Sequence, residues 1–184
     1  EKEVKDNYLE ELVIIEEWLQ KEKFVAVGEI GIDLYWDKST LSMQEDAFRK
    51  QVELAKKYKL PIAIHVRDSF DEVLAIVDEM NDNNLSGVFH CFTGNREEFY
   101  KYLDKGFWIG FTGWICDPVR GKHMVDLIAN MPLERIMIET DSPYLLPKNI
   151  KIKGRRNEPK FIVEVAKKIA KLQNKSLEEI TQIF

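Results

Sequence analysis

Two of the three histidines in this chain, and several of its acidic residues, stand at the tails of short apolar runs. Phe24-Val25-Ala26-Val27-Gly28 runs into Glu29, Pro61-Ile62-Ala63-Ile64 into His65, and Gly87-Val88-Phe89 into His90. Arg135-Ile136-Met137-Ile138 leads through Glu139 and Thr140 to Asp141. Imidazole nitrogen and carboxylate oxygen together suit zinc, manganese or magnesium, and no thiolate site accompanies them. Glu29 is a carboxylate able to bridge two ions and lower the pKa of a water bound there, and Asp141 can both ligate and accept a proton. Arg67, two residues past His65, can grip a phosphate oxygen through its planar fork. This is the chemistry of a divalent-metal hydrolase.

Each of these residues also has a plainer reading. A lone strand histidine is more often a satisfied core residue than a ligand, but two at two strand ends favour a site. His123, beside Lys122 in a helical pattern, reads as exposed. Asp33 can cap a turn, and Glu139 can form a salt bridge or orient a ligand histidine. Cys91 has the parity opposite to His90 and reads as a buried structural thiol. Trp36, Trp108 and Trp114 read as packing residues, with Trp114 also able to line a cleft.

Ligands at strand tails need strands and something to connect them. Short β-branched runs separated by helical patterns read as a parallel sheet with crossover helices, whose reaction site lies at the carboxyl ends of the strands. Strands are expected over 24–33, 61–67, 86–92, 107–113 and 135–141. Parity puts Glu29, Gly31 and Asp33 on one face, His65 with Arg67, His90 with Phe92, and Glu139 with Asp141. Val27, Ala63, Val88 and Met137 fall on those same faces, while Ile30, Ile64, Val66 and Phe89 fall on the opposite ones. Helices are expected at 7–21, from the capping box Ser42–Glu45 to about Lys59, and after a second such cap at Ser69–Glu72. Further helix starts are expected at Asn95–Glu98, at Asp117-Pro118, at Pro159 and at Ser176.

A chain of 184 residues, 45% hydrophobic, can bury one sizeable core, and no segment has the length and apolarity of a membrane span. Two cysteines without a C-x-x-C pattern do not make a disulfide scaffold, so a cytoplasmic location is the default. The net charge of −5 excludes attraction to nucleic acid by bulk electrostatics. One local exception is Lys148, Lys151, Lys153, Arg155, Arg156 and Lys160, which follow the last site strand. That run can track a phosphate backbone, with Asn157 adding hydrogen bonds and Tyr144 a stacking surface.

Five motifs in order carry a family likeness. Gly28-Glu29-Ile30-Gly31-Ile32-Asp33, Ile64-His65-Val66-Arg67, His90-Cys91-Phe92-Thr93-Gly94, Glu139-Thr140-Asp141-Ser142-Pro143-Tyr144-Leu145 and Arg156-Asn157-Glu158-Pro159 resemble the TatD family of metal-dependent deoxyribonucleases. The resemblance covers essentially the whole chain. It implies an α/β fold, a (β/α) TIM-type barrel of the metal-dependent hydrolase kind, in place of the open doubly wound sheet that five strands alone suggest. It implies DNA hydrolysis, commonly exonucleolytic, using two divalent ions of magnesium, manganese or zinc. Glu29 is then the bridging carboxylate, His65 and His90 the ligands of one ion, and Asp141 a ligand of the other and the proton acceptor. Arg67, Tyr144, Arg155, Arg156 and Asn157 are the expected substrate contacts. The family begins with a His-x-His strand that this sequence lacks, so residues 1–184 are expected to be one domain holding about the last five βα units. The expected partner is DNA or RNA, with no membrane, and the full-length protein is expected to be a monomer. Two other readings stand beside it: an amidohydrolase-like enzyme on a small ester, amide or aminoacyl-tRNA, and a catalytically dead fragment that binds partners.

Overall fold

The computed structural model describes residues 4–35, 38–82 and 84–183, which form two compact units that divide between Phe89 and His90. In the first, α1 (Tyr8–Lys21) leads to three parallel strands, β1 (Val27–Asp33), β2 (Ile62–Arg67) and β3 (Gly87–Phe89), adjacent in that order. The crossovers are α2 (Leu41–Tyr58) and α3 (Phe70–Met80), since parallel neighbours need a connection that returns along the sheet. Ile30, Ile32, Ile62 and Ile64 of the strands are buried, as are Phe48 and Val52 of α2 and Val73, Ile76 and Val77 of α3. α1 contributes no fully buried residue.

The second unit contains α4 (Arg96–Asp104), β4 (Trp108–Phe111), α5 (Val125–Asn130), β5 (Ile136–Ile138), α6 (Ile162–Leu172) and α7 (Leu177–Thr181). β4 and β5 pair in parallel. Phe92 packs edge-on against Phe99, Tyr102 and Phe111, so one aromatic cluster ties α4 to β4. Val165, Ala166 and Ile169 form the buried stripe of α6 at helical spacing.

Every expected strand is present, each shorter than its expected span. The run 135–141 forms a strand only to Ile138; Glu139 still donates its N–H to Phe111 O at 3.0 Å, whereas Asp141 sits beyond the ladder, where strand parity does not govern it. In β1 the pairing shifts between Val27 and Ile30: Val27 lies opposite Ile62 and Ile30 opposite Ile64. One residue is therefore extra on β1, which puts Val27 on the side of Ile30 instead of with Glu29. Its burial agrees, and the expected ligand-face position of Val27 is corrected. Met137, also placed on a ligand face, is exposed.

The helix starts divide by what else the capping residue can reach. Asn95 and Ser176 make full capping boxes with Glu98 and Glu179. Pro159 opens a 3-10 turn that runs into α6. Ser42 lies inside α2, which starts after Thr40. Ser69 stands at the N-cap of α3, but its hydroxyl donates to Ile32 O at 2.6 Å and bridges strand to helix. Asp117 begins no helix: its Oδ1 accepts from Val119 and Arg120, and its Oδ2 pairs with Lys148 and Arg120. Trp36 lies outside the described residues. Among the described residues no helix is long and apolar enough to cross a membrane.

Candidate metal centre

The first unit builds its part of the site on β1 and β2. Their register sets Gly31 opposite His65 and Asp33 opposite Arg67. Gly31 has φ +139°, and a Cβ there would stand 2.1 Å from His65 O, so only glycine lets the two backbones approach this closely. His65 is thereby held between two carboxylates. Its Nδ1 faces Glu29 Oε1 at 2.5 Å and its Nε2 faces Asp33 Oδ2 at 3.3 Å. A carboxylate therefore faces each ring nitrogen, and the imidazole plane is held from both sides.

Asp33 is itself fixed. Its side chain is buried, with Oδ1 accepting the Tyr35 N–H at 3.0 Å. Gln44 of α2 holds its backbone from both sides, accepting from Asp33 N at 2.8 Å and donating to Asp33 O at 3.1 Å. The turn-capping reading of Asp33 is therefore right, and it also orients His65. Gln44 gives no signal in sequence, because it lies where the pattern suggests a capping box.

In the second unit, His90 follows directly on the last residue of β3. Its Nδ1 donates to Glu139 Oε2 at 3.0 Å, which leaves Nε2 as the candidate ligand nitrogen. The other oxygen of Glu139 accepts the Cys91 N–H at 2.5 Å. Cys91 has φ +47° and is half-buried, with its Sγ 3.7 Å from Thr112 Oγ1, so the thiol read as buried is partly open. Gly110 leaves room for Glu139: a Cβ there would lie 2.3 Å from its Oε1. Of the two readings of Glu139, orientation of a histidine is the one the geometry supports.

Glu29, His65 and His90 each offer one ligand atom, and imidazole nitrogen with carboxylate oxygen is a donor set that fits a divalent ion. Asp141 stands in the loop after β5 at φ +53°, with its carbonyl accepting from Tyr144 N. Asn157, expected to touch substrate, is buried: its Nδ2 donates to Thr140 O at 2.8 Å and its N–H to Pro143 O, so it fastens this loop. Lys151, Lys153, Arg155, Arg156 and Tyr144 are exposed. Lys148 and then Arg120, beside Asp117, hold that carboxyl well below the usual carboxylate range. His123 is exposed as expected, with Nε2 3.2 Å from Thr93 O. Trp108 is half-buried, and Trp114 buries an Nε1 that has no hydrogen-bond partner among the described residues.

The sequence profile of the family described as TatD related DNase matches residues 2–184. The chain belongs to the TatD family. The 3'-5' ssDNA/RNA exonuclease TatD of Citrobacter rodentium is 41% identical over 148 residues, 79% of this chain and 56% of that protein. The metal-dependent hydrolase YabD of Bacillus subtilis is 38% identical over 174 residues, 95% of this chain and 67% of that protein. Among solved structures, the TatD homologue YjjV of Escherichia coli K12 superposes with a TM-score of 0.84 at 30% identity, over 94% of this chain and 66% of that one. The chain thus spans 56% of the length of the Citrobacter relative that it matches. Likeness to YjjV, with the parallel strand and helix order, carries the α/β fold class of the TIM-type barrel.

Proposed function

We propose that this chain supplies the metal centre of a divalent-metal-dependent nuclease that hydrolyses phosphodiester bonds of DNA or RNA from a strand end. The observation that carries the reading is His65, set between Glu29 and Asp33 on two adjacent parallel strands. Family membership and the relatives' names favour a nuclease over the small-ester alternative.

Glu29, His65 and His90 would hold one ion, and Asp141 would contribute to a second. A bound divalent ion supplies Lewis acidity toward a phosphoryl oxygen and lowers the pKa of water. Around it, Asp33 and Glu139 keep the two imidazoles in ligand tautomers, and Asp141 accepts the proton of the attacking water. Arg67, Arg155 and Arg156 bind phosphate oxygens, and Tyr144 offers a surface to a base. Magnesium, manganese and zinc all fit this donor set. We take 1–184 as one hydrolase domain acting within a monomer. The cytoplasmic location rests on the two free thiols, Cys91 and Cys116.

The test pairs metal binding with hydrolysis of single-stranded DNA, duplex DNA and RNA. Removing metal with a chelator abolishes hydrolysis, and His65→Ala or His90→Ala weakens binding of the ion. Asp141→Asn, which keeps the shape but cannot accept the proton, lowers turnover by about 10²–10⁴. Tight metal binding in the His65→Ala and His90→Ala variants would refute the site, and near-normal turnover in Asp141→Asn would make that residue structural.

A further inference from the structure

Tyr35 and Arg67 form a pair that the ligand set does not use. β1 and β2 end side by side, with Asp33 opposite Arg67 and Leu34 N donating to Arg67 O at 2.9 Å. The turn that follows is fixed by Asp33, which caps the Tyr35 N–H and whose own backbone is clamped by Gln44. The Arg67 guanidinium lies 3.8 Å from the centroid of the Tyr35 ring, well inside cation–π range. Even so, Tyr35 stays 54% exposed. Packing does not explain an aromatic side chain that is fastened through its backbone, backed by a cation and left more than half in solvent. The pair stands two residues beyond His65, about 7 Å along β2. A nucleotide whose phosphate lies at Glu29 and His65 can place a neighbouring base there.

We propose that Tyr35, backed by Arg67, is a stacking platform for an unpaired base, and that it selects single-stranded ends. The proposal rests on the nuclease reading. Every base has a π-face, so such a platform binds without regard to sequence. A base inside a duplex has its faces occupied by its neighbours and must leave the stack to reach the ring. The platform therefore discriminates by strandedness rather than by sequence. Arg67 adds attraction for the backbone and, by lying against the ring, limits the orientations Tyr35 can take.

The test titrates the full chain, loaded with magnesium, against a cleavage-resistant phosphorothioate single strand that ends in 2-aminopurine. Stacking on Tyr35 quenches the fluorescent base in the wild type and in Tyr35→Phe. Tyr35→Leu loses the quench, its Kd rises about 10-fold, and its preference for a single strand over a blunt duplex shrinks by a similar factor. Its magnesium isotherm stays that of the wild type. Unchanged quenching and affinity in Tyr35→Leu overturn the platform and leave the nuclease reading intact. Loss of magnesium in that variant also overturns it, because the ring would then be holding the metal site together. A wild-type chain that binds magnesium but no strand overturns both.

Discussion

A carboxylate has two acceptor oxygens where a carboxamide has one, and Glu139 uses both: Oε2 for the His90 ring and Oε1 for the Cys91 N–H. A glutamine in its place must turn its NH₂ toward one of two donors, so one hydrogen bond goes unmade whichever way it rotates. Without its bond to Glu139, the His90 ring loses the acceptor that sets its tautomer. We expect Glu139→Gln to weaken metal affinity about 10- to 100-fold, the usual scale for removing a group that orients a ligand histidine. Gly110→Ala should reproduce the defect from the other side, since its Cβ would fall 2.3 Å from Glu139 Oε1 and displace the carboxylate. Calorimetric titration of the ion into both variants checks this. If Glu139→Gln binds metal as the wild type does, the Glu139 bond is incidental to the ligand.

At the scale of elements, α2 and the end of β1 are coupled through one amide. Gln44 is buried and makes three hydrogen bonds, two to the Asp33 backbone and one to Thr40 Oγ1. Gln44→Leu keeps much of the volume but leaves the Asp33 N–H and C=O unpaired, which costs about 1–3 kcal/mol for each buried group so exposed. Denaturant unfolding should show that loss, and the His65 ring should gain mobility through Asp33. Unchanged stability would mean that water replaces the amide. The Gln44 contact also shows what the sequence could and could not reveal. Ser42–Glu45 and Ser69–Glu72 have the spacing of capping boxes, as do Asn95–Glu98 and Ser176–Glu179, but only the last two are free to cap. Ser42 falls inside α2, and Ser69 is drawn off by strand backbone that lies near only after folding. The strands themselves were legible because their apolar runs end in ligand-type residues. The face of Val27 was not, since a bulge moves parity by one and leaves no mark in the pattern. The candidate ligands Glu29, His65 and His90 stand out in the sequence by position alone. Asn157 could not, because a polar residue in a basic run gives no sign that it is buried.

Across the whole molecule the charge balance is unfavourable for a polyanion, at −5, so binding of a nucleic acid strand must come from local features. On the reading proposed above, one is the candidate metal centre with Arg67, and the other is the exposed run Lys151, Lys153, Arg155 and Arg156. The run's approach is set by Lys148, which pairs with the buried Asp117 at 2.7 Å, and by Asn157, which fastens the loop carrying Asp141. Exposed cations held in this way act on phosphates through counterion release, and that mechanism has a signature the metal site lacks. Replacing the four by glutamine removes four positive charges from a chain that is already acidic. Affinity for a single-stranded oligonucleotide should fall. The log–log dependence of affinity on salt should also flatten by about 0.7 for each phosphate that the variant no longer neutralises. Metal affinity should not move, because none of the four is a ligand. Equal salt slopes in variant and wild type would place the backbone grip at Arg67 and the metal centre, and the basic run would be a solvated surface.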